Sequence, residues 1–265
     1  MHTGIIIDID PVLFSAGPIT IRWYGLMISV AILVGVLLAI REASRRGIAE
    51  DDILNVALWG VPAALIGARL FHVIDALDYY STYPLQILAF QEGGLAIYGG
   101  LICGLLAGAL AARRKGLLSW SMLDIAAPSL ILGQAIGRVG CFINGDHQGL
   151  PTNLPWATSY IHPGNLAPDS QPRHPAQVYE LIYDLLLFGL LLLVRRRLKR
   201  DGVVFAIYAA AYAFGRFWIS ALREDAPFLM GLKEAQLISV ATFLVAVPLM
   251  VYLWRQPVRA TSSEF

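Results

Sequence analysis

Seven apolar runs, each near the length needed to cross a bilayer, follow one another along this chain of 265 residues. A hydrocarbon core of about 30 Å takes roughly 20 helical residues at ~1.5 Å each. The clearest runs cover about 23–40, 93–112 and 235–254. Four others hold isolated ionisable residues: about 53–75 (Arg69, His72), 119–140 (Asp124, Arg138), 176–194 (Glu180, Asp184) and 202–222 (Arg216). Lipid offers no partner to a backbone N–H or C=O, so such runs cross as helices. The expected fold is an all-α polytopic membrane bundle of about seven transmembrane helices, in a single domain over 1–265. Composition agrees, with 57% hydrophobic and only 15% charged residues, where soluble domains run nearer ~25% charged. A net charge of +1 provides no basic field for nucleic acid, and none is expected as a partner. The start, Met-His-Thr-Gly, lacks a basic n-region, so no cleavable signal peptide is expected.

Lysine and arginine set the expected orientation. Arg41, Arg45 and Arg46 follow the first run, and Arg113, Arg114 and Lys115 the third. Arg195, Arg196, Arg197, Lys199 and Arg200 follow the fifth, and Arg255 and Arg259 the last. The intervening connections carry Asp75, Asp78 and Glu92, or Glu224 and Asp225. Basic clusters after every second run place the N-terminus outside and the C-terminus, with a short tail over about 255–265, in the cytoplasm.

Five arginines break this pattern: Arg22, Arg69, Arg138, Arg216 and Arg223 fall in the outer half of the membrane or at its outer surface. Arg216 lies about 14 residues, or about 21 Å, into its run. Each deep arginine costs on the order of 2.5–3.5 kcal/mol on insertion scales, and several together repel unless an anion sits among them. Guanidinium is the side chain best suited to bidentate phosphate recognition. The inference is an anion site facing the outer leaflet, most simply for a lipid phosphate; the competing reading pairs each arginine with a local acid or carbonyl. A long outer loop over about 141–175, rich in glycine, proline and asparagine, opens on Cys141-Phe-Ile-Asn144-Gly145-Asp146-His147 and closes on Arg173-His174-Pro175. Gly100, Gly104 and Gly108 share one helix face, a spacing that lets backbones approach closely. The two cysteines, Cys103 and Cys141, have no metal-ligand or redox-pair spacing and read as free. No metal and no soluble cofactor is expected, since nucleotide loops and dinucleotide fingerprints are lacking.

The run Gly137-Arg138-Val-Gly140-Cys141-Phe142-Ile-Asn144-Gly145-Asp146-His-Gln-Gly149 resembles the signature Gly-Arg-x-Gly-Asn-Phe-x-Asn-x-Glu-x-x-Gly of prolipoprotein diacylglyceryl transferases. Further stretches agree in order: Arg22-Trp23-Tyr24-Gly25, Gly67-Ala68-Arg69, Gly93-Gly94-Leu-Ala-Ile-Tyr98-Gly99-Gly100, Arg173-His174-Pro175-Ala-Gln177-Val-Tyr179-Glu180, and Arg216-Phe217 with Arg223. Four positions depart from the family pattern. Cys141 stands for asparagine, Asp146 for glutamate, Ser220 for glutamate, and Tyr98 where many members have histidine.

The resemblance implies a multi-pass enzyme of the bacterial plasma (inner) membrane. It would transfer a diacylglyceryl group from phosphatidylglycerol in the bilayer to the lipobox cysteine thiol of a preprolipoprotein signal peptide. On this reading Arg138 and Arg216 hold the phosphate, with Tyr24 and Asn144 orienting headgroup or thiol as catalytic residues. Arg69, Arg223, Gly99, Asp146, Tyr98 and His174 complete the phosphatidylglycerol site. Asp146, Tyr98, His174 and Glu180 are alternative general bases, and an arginine-activated thiol needing none is a further possibility. The alternative function is an anion- or lipid-handling membrane protein, either an inactive relative or a transporter. An intramembrane serine protease lacks its Gly-x-Ser element here.

Overall fold

The computed structural model describes residues 4–17, 19–88, 94, 96–117, 120–165, 168–198 and 200–256. Glu92, Gly93, Lys199 and Arg259, and nearly all of the expected tail, lie outside these. The chain forms two compact units: Met1–Leu13, Arg22–Gly35 and Trp120–Phe265 make the larger, Phe14–Ile21 and Val36–Ser119 the smaller. Helix α1 (Trp23–Arg45) begins in the first and ends in the second.

In the smaller unit, α2 (Glu50–Asp75) lies against α4 (Ile97–Arg114). Glycine allows their close approach. A Cβ on Gly99 would stand 2.3 Å from the Gly67 carbonyl oxygen, and one on Gly67 would stand 2.4 Å from the Cys103 Cβ. Gly100 and Gly104 continue the seam against Ala64, so the glycine stripe of α4 is a packing surface. Helix α3 (Leu77–Thr82) and a 3-10 turn (Pro84–Leu88) follow α2.

In the larger unit, α5 (Trp120–Asn144), α6 (Ala176–Val194) and α7 (Val203–Ala221) share a core of Ala127, Ile131, Leu187, Leu191, Val204 and Tyr208. Helix α8 (Glu234–Arg255) packs on α7. The start of α1 meets α5, where Gly140 leaves room for Tyr24: a Cβ there would lie 3.2 Å from the Tyr24 Cα.

Asp124 explains one charge inside an apolar run. It is 2% exposed, and its two oxygens accept from Gly202 N at 2.8 Å and Phe205 N at 2.9 Å. The first N–H groups of α7 have no partner within the helix, and the helix dipole favours an anion there. A carboxylate lent by α5 therefore caps α7. Asp124→Ala should cost about 1–3 kcal/mol, read as a lower thermal midpoint in detergent.

A small sheet joins the connections of this unit. Strand β1 (Gly4–Ile7) runs parallel to β4 (Ala157–Tyr160), which pairs antiparallel with β5 (Asp169–Arg173). Two hairpins complete the strands: β2 (Val12–Ala16) with β3 (Ile19–Arg22), and β6 (Pro227–Leu229) with β7 (Leu232–Lys233). The segment read as a loop over 141–175 thus begins one helical turn later, at Gly145, and contains two strands.

The all-α membrane bundle stands as the architecture. Among the described residues, six helices (α1, α2, α5, α6, α7 and α8) are long and apolar enough to cross a membrane. Helix α4, 18 residues ending in Arg113 and Arg114, occupies the remaining apolar run.

Candidate active site

Three helices of the larger unit converge on one carboxylate. Glu180, near the start of α6, accepts from Arg138 Nη2 of α5 at 2.6 Å through Oε1. Its Oε2 accepts from Arg216 Nη1 of α7, also at 2.6 Å. The Glu180 side chain is 3% exposed, while Arg138 and Arg216 keep 16% and 18%. The acid is therefore sealed, while the two arginine side chains stay slightly exposed. Two guanidiniums on one carboxylate leave one net positive charge. One turn further along α6, Asp184 is fully buried, and neither of its oxygens has a hydrogen-bond partner.

Beyond Asn144 the signature folds back on itself. Gly145 adopts φ 76°, and its N–H donates to the Cys141 carbonyl at 3.0 Å, closing α5 with a left-handed residue. His147 is left-handed as well, at φ 58°, a conformation that histidine adopts more readily than most residues. Asp146, between them, receives Asn144 Nδ2 at 3.4 Å on Oδ2, while its backbone carbonyl receives Gln177 Nε2 from α6. Its Oδ1 is buried with no partner. Arg138 Nη1 stands 3.8 Å from the Cys141 sulfur.

Arg223, just past α7, donates to His147 Nδ1 at 2.9 Å and pairs with Asp225, Nε to Oδ2, at 2.9 Å. Arginine can only donate, so His147 Nδ1 accepts and the ring is neutral. Burial holds the imidazole below its ordinary value, and Arg223, Arg138 and Arg216 depress it further against the opposing pull of Asp146. A cavity of about 280 Å³ opens here, bounded by His147, Gln148, Arg173 and Glu224. Arg173 bonds Glu224 across it.

Two helices thus present arginines, Arg138 from α5 and Arg216 from α7, to the Glu180 carboxylate of a third, and the chain is similar to known proteins along most of its length. The model of the prolipoprotein diacylglyceryl transferase family matches residues 11–252. The chain belongs to the prolipoprotein diacylglyceryl transferase family. Among relatives named phosphatidylglycerol–prolipoprotein diacylglyceryl transferase, that of Trichormus variabilis is 41% identical over 254 residues, 92% of this chain and 89% of the relative. That of Clostridioides difficile is 40% identical over 255 residues, 96% and 100% of the two chains. That of Limosilactobacillus reuteri is 37% identical over 262 residues, 95% and 94%.

Within the larger unit of this family member lie Tyr24, Arg138, Asn144, Asp146, His174, Arg216 and Arg223. Tyr24 opens α1 beside Gly140 of the signature, half a turn from Arg138 along α5. Asn144 is buried and anchors Asp146. His174 serves the connection: its Nδ1 lies 3.2 Å from the Tyr179 hydroxyl, which also receives Trp156 Nε1 at 2.8 Å. Arg69, Tyr98 and Gly99 belong to the smaller unit. Arg69, 4% exposed, donates to the carbonyls of Gln86, Ile87 and Gly94 and stacks 5.4 Å from the Tyr80 ring centre. Gly99 forms the α2–α4 seam, and Tyr98 is exposed on α4.

The sequence reading had Glu180 as one of several bases and overlooked His147. Glu180 is instead the shared counter-charge of Arg138 and Arg216. Its signal was present as the last residue of Arg-His-Pro-Ala-Gln-Val-Tyr-Glu, but the partners lie on other helices. His147 gave no signal, because only the left-handed turn directs it back toward Arg223.

Proposed function

We propose that this chain transfers a diacylglyceryl group from phosphatidylglycerol to the lipobox cysteine thiol of a preprolipoprotein, in the bacterial plasma membrane. The observation that carries the assignment of residues is the pair Arg138 and Arg216 on the single buried carboxylate of Glu180, with both arginine side chains left slightly exposed. Such a pair is held rigid before substrate arrives and still carries net positive charge, which is what an anionic headgroup needs. The orientation that serves this places the N-terminus outside and the C-terminus in the cytoplasm, with α4 as the seventh span.

In the reaction a carbon–sulfur bond forms at the glyceryl carbon next to the phosphate oxygen, and the carbon–oxygen bond to that phosphate breaks. Glycerol phosphate leaves with the electron pair, and the thiol proton passes to solvent. Negative charge grows on the phosphate as the bond breaks, so Arg138 and Arg216 gain most in the transition state. The thiolate is the competent nucleophile, and the positive charge remaining on the arginine pair favours its formation. Glu180 is a poor base here, since both its oxygens are held by guanidiniums. Arg223 and Asn144 complete the headgroup side, and Tyr24 stands at the signature's edge.

The test is direct transfer by purified protein in detergent, with phosphatidylglycerol and a synthetic lipobox peptide, followed by mass spectrometry. A diacylglyceryl increment on the cysteine, absent from a peptide with serine in its place, is the expected result. No increment under conditions where an authentic relative works would overturn the reading in favour of an inactive, anion-handling relative.

A further inference from the structure

Cys141, Asp146 and His147 each bring one ligand atom to within 4.8 Å of the other two. They come from seven consecutive residues, and the fold assembles them through two left-handed positions, Gly145 and His147, on either side of Asp146. Asn144 and Gln177 hold Asp146 by Oδ2 and by its backbone carbonyl, which leaves Oδ1 buried without a partner. A buried carboxylate oxygen short of donors is costly to keep.

We propose that Cys141 Sγ, a carboxylate oxygen of Asp146 and an imidazole nitrogen of His147 form a binding site for a borderline-soft divalent cation of the zinc class. One sulfur, one oxygen and one nitrogen ligand suit such an ion, and three protein ligands leave the fourth tetrahedral position open. Ligands at ~2.0–2.3 Å from a tetrahedral ion lie about 3.5 Å apart, so the widest separation must close by roughly 1 Å. His147 lines the cavity, which leaves space beside its ring. Charge also fits: with the thiol proton released to solvent, a thiolate and a carboxylate neutralise a divalent ion, so the occupied site is neutral beside Arg138, 3.8 Å from the sulfur.

Arg223 makes the inference sharper. A neutral imidazole has one lone pair, and Arg223 occupies it at Nδ1. Coordination through either ring nitrogen requires that bond to break, through Nδ1 by direct exchange and through Nε2 by a change of tautomer. Cation and Arg223 therefore compete for His147, and Asp225 keeps Arg223 in place when it lets go. The proposal rests on ligand geometry; it shares Asp146 and Arg223 with the headgroup site, and its test reads metal binding rather than transfer, so the two can fail separately.

Cobalt(II) reports such a site by the thiolate-to-cobalt absorption in the near ultraviolet. Full-length protein in detergent, stripped with a chelator, should take up one cobalt ion with that band, and zinc should displace it. Cys141→Ser should abolish the band, and Cys103→Ala should leave it unchanged. His147→Ala should weaken binding by at least roughly tenfold. Arg223→Ala should tighten it. Absence of the band in the unsubstituted protein, or its survival in both Cys141→Ser and His147→Ala, would overturn the proposal, as would weaker binding in a folded Arg223→Ala protein.

Discussion

Arg138→Ala should lower the rate of diacylglyceryl transfer by about 10²–10³-fold or more while the protein stays folded. Stability survives because of the stoichiometry at Glu180. With Arg138 gone, the carboxylate still has Arg216 at 2.6 Å, so a two-to-one cluster becomes a one-to-one pair. Activity should not survive, because the group proposed to face the phosphate is lost. Arg138→Lys separates charge from geometry: lysine keeps the positive charge but lacks the planar fork, and a rate well below wild type is expected. Single-turnover kinetics with the lipobox peptide, alongside thermal unfolding in detergent, would read both quantities. Wild-type turnover in Arg138→Ala would end the assignment of the arginine pair to the phosphate.

Glu180→Ala should behave in the opposite way. It strips the counter-charge from two largely buried guanidiniums on different helices at once. Removing one partner of a buried ion pair costs about 3–5 kcal/mol, because the charge left behind is uncompensated. The expected result is a large fall in the thermal midpoint and loss of the α5–α6–α7 arrangement, with activity lost as a consequence. Glu180→Gln should recover little, since an amide accepts hydrogen bonds without supplying charge. A Glu180→Ala protein as stable as wild type would show that the arginines find other partners, and the rigid arginine pair would no longer explain the site. Together the two substitutions ask whether the cluster is built for binding, for holding helices together, or for both.

Much of this protein was legible in its residues. Seven apolar runs announce a helical membrane bundle because lipid leaves the backbone no other way to satisfy its polar groups. The out-of-place arginines were also visible, since charge is costly wherever water is scarce. What the runs could not show was which of those arginines act together. Arg138, Glu180 and Arg216 are separated by 42 and 36 residues, and no periodicity relates positions on different helices. Arg69 stood beside Arg138 among the out-of-place arginines, and the structure shows it donating to three backbone carbonyls of its own unit.

Asp124 and the signature turn mark the same boundary. An acid in an apolar run reads as a functional site, but its oxygens close the first turn of α7, 78 residues away in the chain. Cys141, Asp146 and His147 have no recognised ligand spacing, so the sequence reading set the cysteine aside. Two left-handed residues turn that short stretch back over the end of α5 and bring thiol, carboxylate and imidazole together. The sequence by itself determined the helices, their apolar character and the family, because those follow from local hydrophobicity and a contiguous motif. Only the tertiary structure decided which charges neutralise one another and which remain for a ligand. That outcome depends on distances of a few ångströms between helices, where Coulomb energy and hydrogen bonding change most steeply.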